Sequence, residues 1–192
     1  MTSPALSPWL LLNQAVLFAH VIAFAVTVSA VLREDLRWLL QRRIDTTRLR
    51  GTMRTVGAGL AVLWGTGLAL WAFAAADSPA PWALTPKLAA KLVVVSLLTL
   101  NGWALHAFVF PRLPQGAAPA APLPAHAGQV SVLLGAFSSA SWLFAAFVGV
   151  ARPLQDVLSF AGFMGLYAAS LGVALVAAVL PARLPPRLGD CP

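Results

Sequence analysis

Five stretches of the chain run with scarcely a charge, and prolines, arginines and small polar residues gather in the blocks between them. Each stretch meets the ~20 predominantly apolar residues that one helical crossing of a bilayer needs. The pattern predicts spans over 9–32, 55–76, 88–110, 130–150 and 157–180. Backbone polar groups in hydrocarbon find no water, so a lone apolar segment satisfies them only as a helix. The expected fold is all-α: an integral membrane helical bundle in a single membrane domain. The first stretch differs from a cleavable signal. Met1 to Pro8 carries no Lys or Arg, and the apolar run is too long for a signal core, so it reads as a retained helix.

The interruptions are distinct in kind. Asp77 to Pro86 carries three prolines and ends the helices on either side. Residues 111–128 (PRLPQGAAPAAPLPAHAG) form a Pro/Ala-rich linker, semi-extended in character. The arginine-rich segment 33–54 includes a stretch from Arg33 to Arg50 that mixes Leu36, Leu39, Leu40 and Ile44 with the charges, an amphipathic continuation of the first helix that anchors at the interface in preference to binding a partner. No internal repeat stands out.

Composition confirms the class. Apolar residues make up 59% of the chain and charged residues 10%, against about 25% charged in soluble domains. The net charge of +7 would suit nucleic acid, but its placement does not. Arg33, Arg37, Arg42, Arg43, Arg48, Arg50 and Arg54 fall in one block between two spans, with Glu34, Asp35 and Asp45 interleaved. That is a cytoplasmic loop by the positive-inside rule. With the N-terminus outside and the C-terminus cytoplasmic, Arg112, Arg183 and Arg187 join this block inside. Lys87, Lys91 and Arg152 alone face the other way. Trp9, Trp71 and Trp82 then lie near the outer interface and Trp38 near the inner one. The setting is the bacterial plasma membrane, with lipid as the first partner and a redox partner or further membrane subunits beyond it. A single cysteine, Cys191, excludes an intramolecular disulfide and a cysteine-held metal cluster.

Inside lipid, close approach of small residues helps helices associate. Stripes at Gly57, Ala61, Gly65 and Ala69, at Ser131, Gly135 and Ser139, and at Ala161, Gly165 and Ala169 beside Ala168 and Gly172 are expected to be contact faces.

Titratable groups within spans are the first functional candidates, because burying them in hydrocarbon is costly. His20 lies mid-span. A neutral imidazole there is a haem or metal ligand, or else bonds a helix carbonyl or a Ser or Thr on a neighbour. By helix rise it lies roughly 17 Å below the outer end of its span, His106 roughly 27 Å below its own and Met164 roughly 11 Å, so Met164 is nearer to level with His20. A His–Met pair would ligate haem, although a lone mid-span Met also serves as packing. Lys91 either snorkels, with Lys87 one turn above, or faces an anionic group such as a haem propionate. Asn101 is placed to bond across helices, and Trp103 and Trp142 to pack in the core or flank a flat cofactor. Asp156 reads as an exposed charge at the start of the fifth helix, and His126 as surface. HExxH, P-loop and CxxCH motifs are absent, and Gly57-Ala58-Gly59 fails the dinucleotide fingerprint. No acidic residue lies within a span, against an ion antiporter.

Ala19-His20-Val21 before Leu32-Arg33, then Ala90-Lys91-Leu92, Asn101 and Pro111-Arg112-Leu113, resemble the membrane domain of the copper-resistance D (CopD) family. They are also similar to bacterial haem-containing membrane protoporphyrinogen oxidases. The likeness covers roughly residues 11–113. It implies that His20 is a haem ligand and Lys91 a functional lysine. The aromatic–histidine pair of those oxidases is replaced by Leu100-Asn101, and the clusters of soft ligands that select Cu(I) are missing. Three functions therefore stand: b-type haem redox chemistry or electron transfer, with copper or other metal uptake and a cofactor-free scaffold subunit as alternatives.

The topology is testable. A reporter active only in the periplasm should work at the N-terminus or within Asp77 to Pro86 and stay silent at Ala118. Activity at Ala118 with silence at Ala80 would invert the orientation.

Overall fold

The computed structural model describes residues 7–41, 46–76, 84–109 and 125–183. They form five α-helices: α1 (Pro8–Gln41), α2 (Thr46–Ala76), α3 (Pro86–Ala104), α4 (Ala125–Val150) and α5 (Phe160–Arg183). A π-turn (Leu105–Val109) follows α3, and a 3₁₀ turn (Pro153–Asp156) precedes α5. All five helices are long and apolar enough to cross a membrane. The chain is therefore an all-α protein built for multiple crossings. Residues 77–83 of the triple-proline connection, most of the Pro/Ala linker, Arg42, Arg43, Ile44, Asp45, Arg187 and Cys191 lie outside the described residues, as do the side chains of Trp38, His126 and Ser131.

Local chemistry sets the helix starts. Ser7 Oγ accepts the amide N–H of Leu10 at 3.2 Å, with Pro8 as the first helical residue. Ser7 thus satisfies one of the unpaired donors of the first turn, and the proline has no N–H to strand there. Ser159 does the same for α5, accepting the Gly162 amide at 3.2 Å.

That cap moves the fifth helix three residues past the predicted start and corrects the reading of Asp156. Pro153 favours a tight turn, and Leu154 O accepts the amides of Val157 and Leu158. Asp156 ends this 3₁₀ turn, exposed, rather than opening α5. Two other boundaries shift. Residues 125–128 of the predicted linker are already helical, and α2 begins at Thr46, so the arginine-rich block is shared between the end of α1 and the start of α2. On α1 its charges bond locally. Arg33 Nε donates to Ser29 O at 3.1 Å, and Arg37 pairs with Glu34 at 2.9 Å.

The contacts sort into two units, Met1–Thr85 and Pro86–Pro192. In the first, α1 and α2 pack antiparallel. Trp9 meets Phe73 edge-on, His20 meets Thr66, and Thr27 meets Gly59. A step of seven along α1, from His20 to Thr27, is matched by seven back along α2. This is the two-turn repeat of a coiled-coil seam. Ala30, Val31, Val56, Leu60 and Leu63 bury its apolar part.

The small-residue stripe of α2 is not the face that meets α1. Gly57, Ala61 and Gly65 are exposed, and a Cβ added at Gly57 or Gly65 meets nothing within 4 Å. Close approach occurs at Gly59 instead, where an added Cβ would fall on the hydroxyl of the fully buried Thr27.

The second unit packs α3, α4 and α5 against one another. On α3 the buried residues Lys87, Ala90, Val94, Leu98 and Asn101 recur at steps of three and four, one face of a helix. Trp142, Phe144 and Val148 of α4 and Phe163 and Tyr167 of α5 fill the interior. Here too the small-residue expectation is overturned for α5. Ala161, Gly165, Ala168, Ala169 and Gly172 are exposed, because large side chains make far more dispersion contacts than small ones and take the inner face. Trp142 is core as expected. Trp103 is not: it is 63% exposed and stacks edge-on to Phe108 at 5.9 Å.

Gly59→Leu should therefore destabilise the protein by about 1–3 kcal/mol, the usual cost of overpacking a close contact, with Gly65→Leu much milder. Thermal melting in detergent checks this, and equal losses would remove Gly59 from the seam.

Candidate functional site

Polar groups that face into the helix packing are few, and each has an identifiable partner. Among the described residues no buried side-chain nitrogen or oxygen lacks one. Thr27, Thr66, Thr99 and Ser141 donate their hydroxyl protons to the carbonyls of Ala23, Val62, Val95 and Phe137, four residues earlier, at 2.6–2.8 Å. Each hydroxyl then keeps only acceptor capacity, because it has a single proton.

That accounting fixes the state of His20. Its Nδ1 lies 2.7 Å from Thr66 Oγ1. Thr66 has spent its proton on Val62 O at 2.6 Å, so Nδ1 must be the donor. The neutral ring is thus the Nδ1–H tautomer, with its lone pair on Nε2. This is the arrangement that orients a ligating histidine, in which one nitrogen is held by a hydrogen bond and the other presents electrons. It also realises the alternative open from sequence, a Ser or Thr on a neighbouring helix. The two roles use different nitrogens. The ring lies against α2 at Gly67, where an added Cβ would sit 3.5 Å from His20 Cε1, ordinary contact.

The other candidates belong to the second unit and do not form one constellation there. Lys91 is exposed on the second turn of α3, and His106 is exposed in the π-turn at its other end. Fifteen residues separate them, roughly 22 Å by helix rise, too far to share one small group. Met164 is half-buried on α5, next to the fully buried Phe163. Asn101 bonds across helices as expected, Nδ2 donating to Leu134 O at 3.3 Å. Among the described residues no three His, Cys, Asp or Glu side chains gather as a metal site would require.

Three polar residues were not singled out from sequence. Thr66 is the orienting group for His20; its signal is a hydroxyl flanked by glycines, Gly65-Thr66-Gly67, deep in an apolar run. Tyr167, the only tyrosine, is 2% exposed and donates its phenol proton to Ser141 Oγ at 2.7 Å. Lys87, read as an interfacial neighbour of Lys91, is buried at 8% exposure and donates to Ala151 O at 3.2 Å. It caps the carbonyl end of α4, where a cation is favoured.

No family profile, curated protein or solved structure matches the chain.

Proposed function

We propose that this multi-pass membrane protein binds a b-type haem through His20, for redox chemistry or electron transfer within the bilayer. The supporting observation is the Thr66–His20 hydrogen bond, which sets Nε2 as the electron-pair donor at mid-span depth. The donor set also favours haem over a bare ion. Structural and catalytic metal sites draw on three or four protein donors, whereas a porphyrin brings its own nitrogens and asks the protein for one or two axial ligands. A lone oriented histidine fits the second demand. Copper uptake, which calls for soft-ligand clusters, has no such feature behind it.

In this reading the group supplies one-electron chemistry when bound, and the chain supplies its hold. His20 would donate Nε2, and Thr66 would keep the imidazole from rotating and swapping tautomers. The N-terminus faces outward in a bacterial plasma membrane.

The test is a visible absorption spectrum of detergent-purified protein from haem-replete cells, oxidised and reduced. Wild type should show a Soret band, and His20→Ala should lose it while still inserting and melting like Thr66→Val. Thr66→Val should keep the band with haem affinity about 10–100-fold weaker, the usual effect of losing an orienting partner. A colourless wild type overturns the reading.

A further inference from the structure

The end of the second unit where α3 begins and α4 ends gathers positive charge. Lys87 and Lys91 stand one turn apart on α3, a spacing at which side chains are neighbours and like charges repel. Lys87 Nζ reaches Ala151 O at 3.2 Å, and Arg152 is the next residue in the chain. If each helix crosses once, Lys87, Lys91 and Arg152 are the three basic residues on this side of the spans, and the other ten are opposite. Packing sets Lys87 against Ala151, the residue before Arg152, with Lys91 one turn further along α3.

Ordinary structural roles account for only part of this. The carbonyl end of α4 carries roughly half a negative charge, and Lys87 serves it at Ala151 O. The amino end of α3 adds about half a positive charge at the same spot. Two acidic residues fall on this side of the spans: Asp156, exposed on the 3₁₀ turn, and Asp77, which lies outside the described residues. Among the described residues no ion pair joins Asp156 to Lys91 or Arg152. Counting both, three basic residues on this side stand against two acidic ones, and a positive surplus remains. Snorkelling explains why Lys91 is exposed. It does not explain a buried lysine, an exposed lysine and an exposed arginine at one end of the unit with no ion pair to them among the described residues.

We propose that this end of the α3–α4–α5 unit is a binding site for a phosphate-bearing anion. Lys91 and Arg152 supply the accessible charge, and Lys87 holds the α4 end in place beside them. Arg presents a planar fork of donors matched to phosphate oxygens, and Lys adds a point charge, the combination used for phosphate recognition. The depth suits a group at the membrane surface, one turn from the start of α3. The phosphate belongs either to a lipid headgroup or to a soluble phosphate ester. The site is independent of His20, which lies in the other unit.

The test uses the full chain in detergent with two probes, dioctanoyl phosphatidylglycerol and inorganic phosphate. Binding is followed by native mass spectrometry and by the rise in melting temperature. Wild type should bind at least one probe: the lipid alone identifies a headgroup site, and phosphate as well identifies a site open to soluble anions. Lys91→Gln with Arg152→Gln should weaken binding about 30-fold, two surface cations removed. Lys91→Arg with Arg152→Lys should retain it, showing that charge and not a folding defect is responsible. Arg33→Gln, an exposed arginine elsewhere, should leave it unchanged. Failure of both probes to bind wild type overturns the site. So does undiminished binding in the double glutamine variant, or an equal loss in Arg33→Gln.

Discussion

No water reaches the hydrocarbon core of a bilayer, so a polar group on a spanning helix must be satisfied by the protein itself. The arrangement of this chain follows from how that demand is met. Hydroxyls are cheap to place, because Thr27, Thr66, Thr99 and Ser141 return their protons to their own helix backbone. Doing so turns each oxygen into a pure acceptor. Two of these acceptors then receive a donor from another helix: Thr66 from His20, and Ser141 from Tyr167. The bond within a helix thus decides the direction of the bond between helices, and at Thr66 it also decides which nitrogen of His20 carries the proton.

Such bonds orient more than they stabilise. Interhelical hydrogen bonds in membranes average about 0.6 kcal/mol, because a separated helix finds other partners. Packing supplies the larger share. Trp142 and Phe163 are almost wholly enclosed in the three-helix unit, and the Thr27–Gly59 contact brings α1 and α2 close at one level. Specificity and cohesion therefore rest on different residues. His20 is positioned by Thr66, while the seam that keeps the two helices in register depends on Gly59 and the apolar residues around it.

The spans were legible in the sequence because membrane crossing is a property of composition over a local window, and Ser7-Pro8 and Ser159 mark helix starts by local chemistry. Which face of each helix turns inward was not. The helices are apolar on all sides, so no amphipathic stripe distinguishes lipid from protein, and regular small residues were a misleading guide. Gly57, Ala61, Gly65 and Ala69 form the more regular series, yet the contact with α1 uses Gly59, which only the position of Thr27 on another helix reveals. Lys87 is a similar case. Its burial depends on the end of α4 meeting the start of α3, more than sixty residues away in the chain. Among the candidate site residues, His20 was recognisable by its depth, but its tautomer required Thr66 and Val62. Asn101 was readable in full, since an amide at mid-span has few alternatives to a neighbouring helix carbonyl.

The central claim is that Thr66 holds His20 as the Nδ1–H tautomer. Nitrogen NMR of histidine-labelled, haem-free protein in detergent measures this directly, with the His20 signals identified by their loss in His20→Ala. The account predicts a protonated, pyrrole-type Nδ1 and an unprotonated, pyridine-type Nε2 in wild type, and loss of that preference in Thr66→Val. A protonated Nε2 in wild type, or an identical spectrum in Thr66→Val, would contradict it.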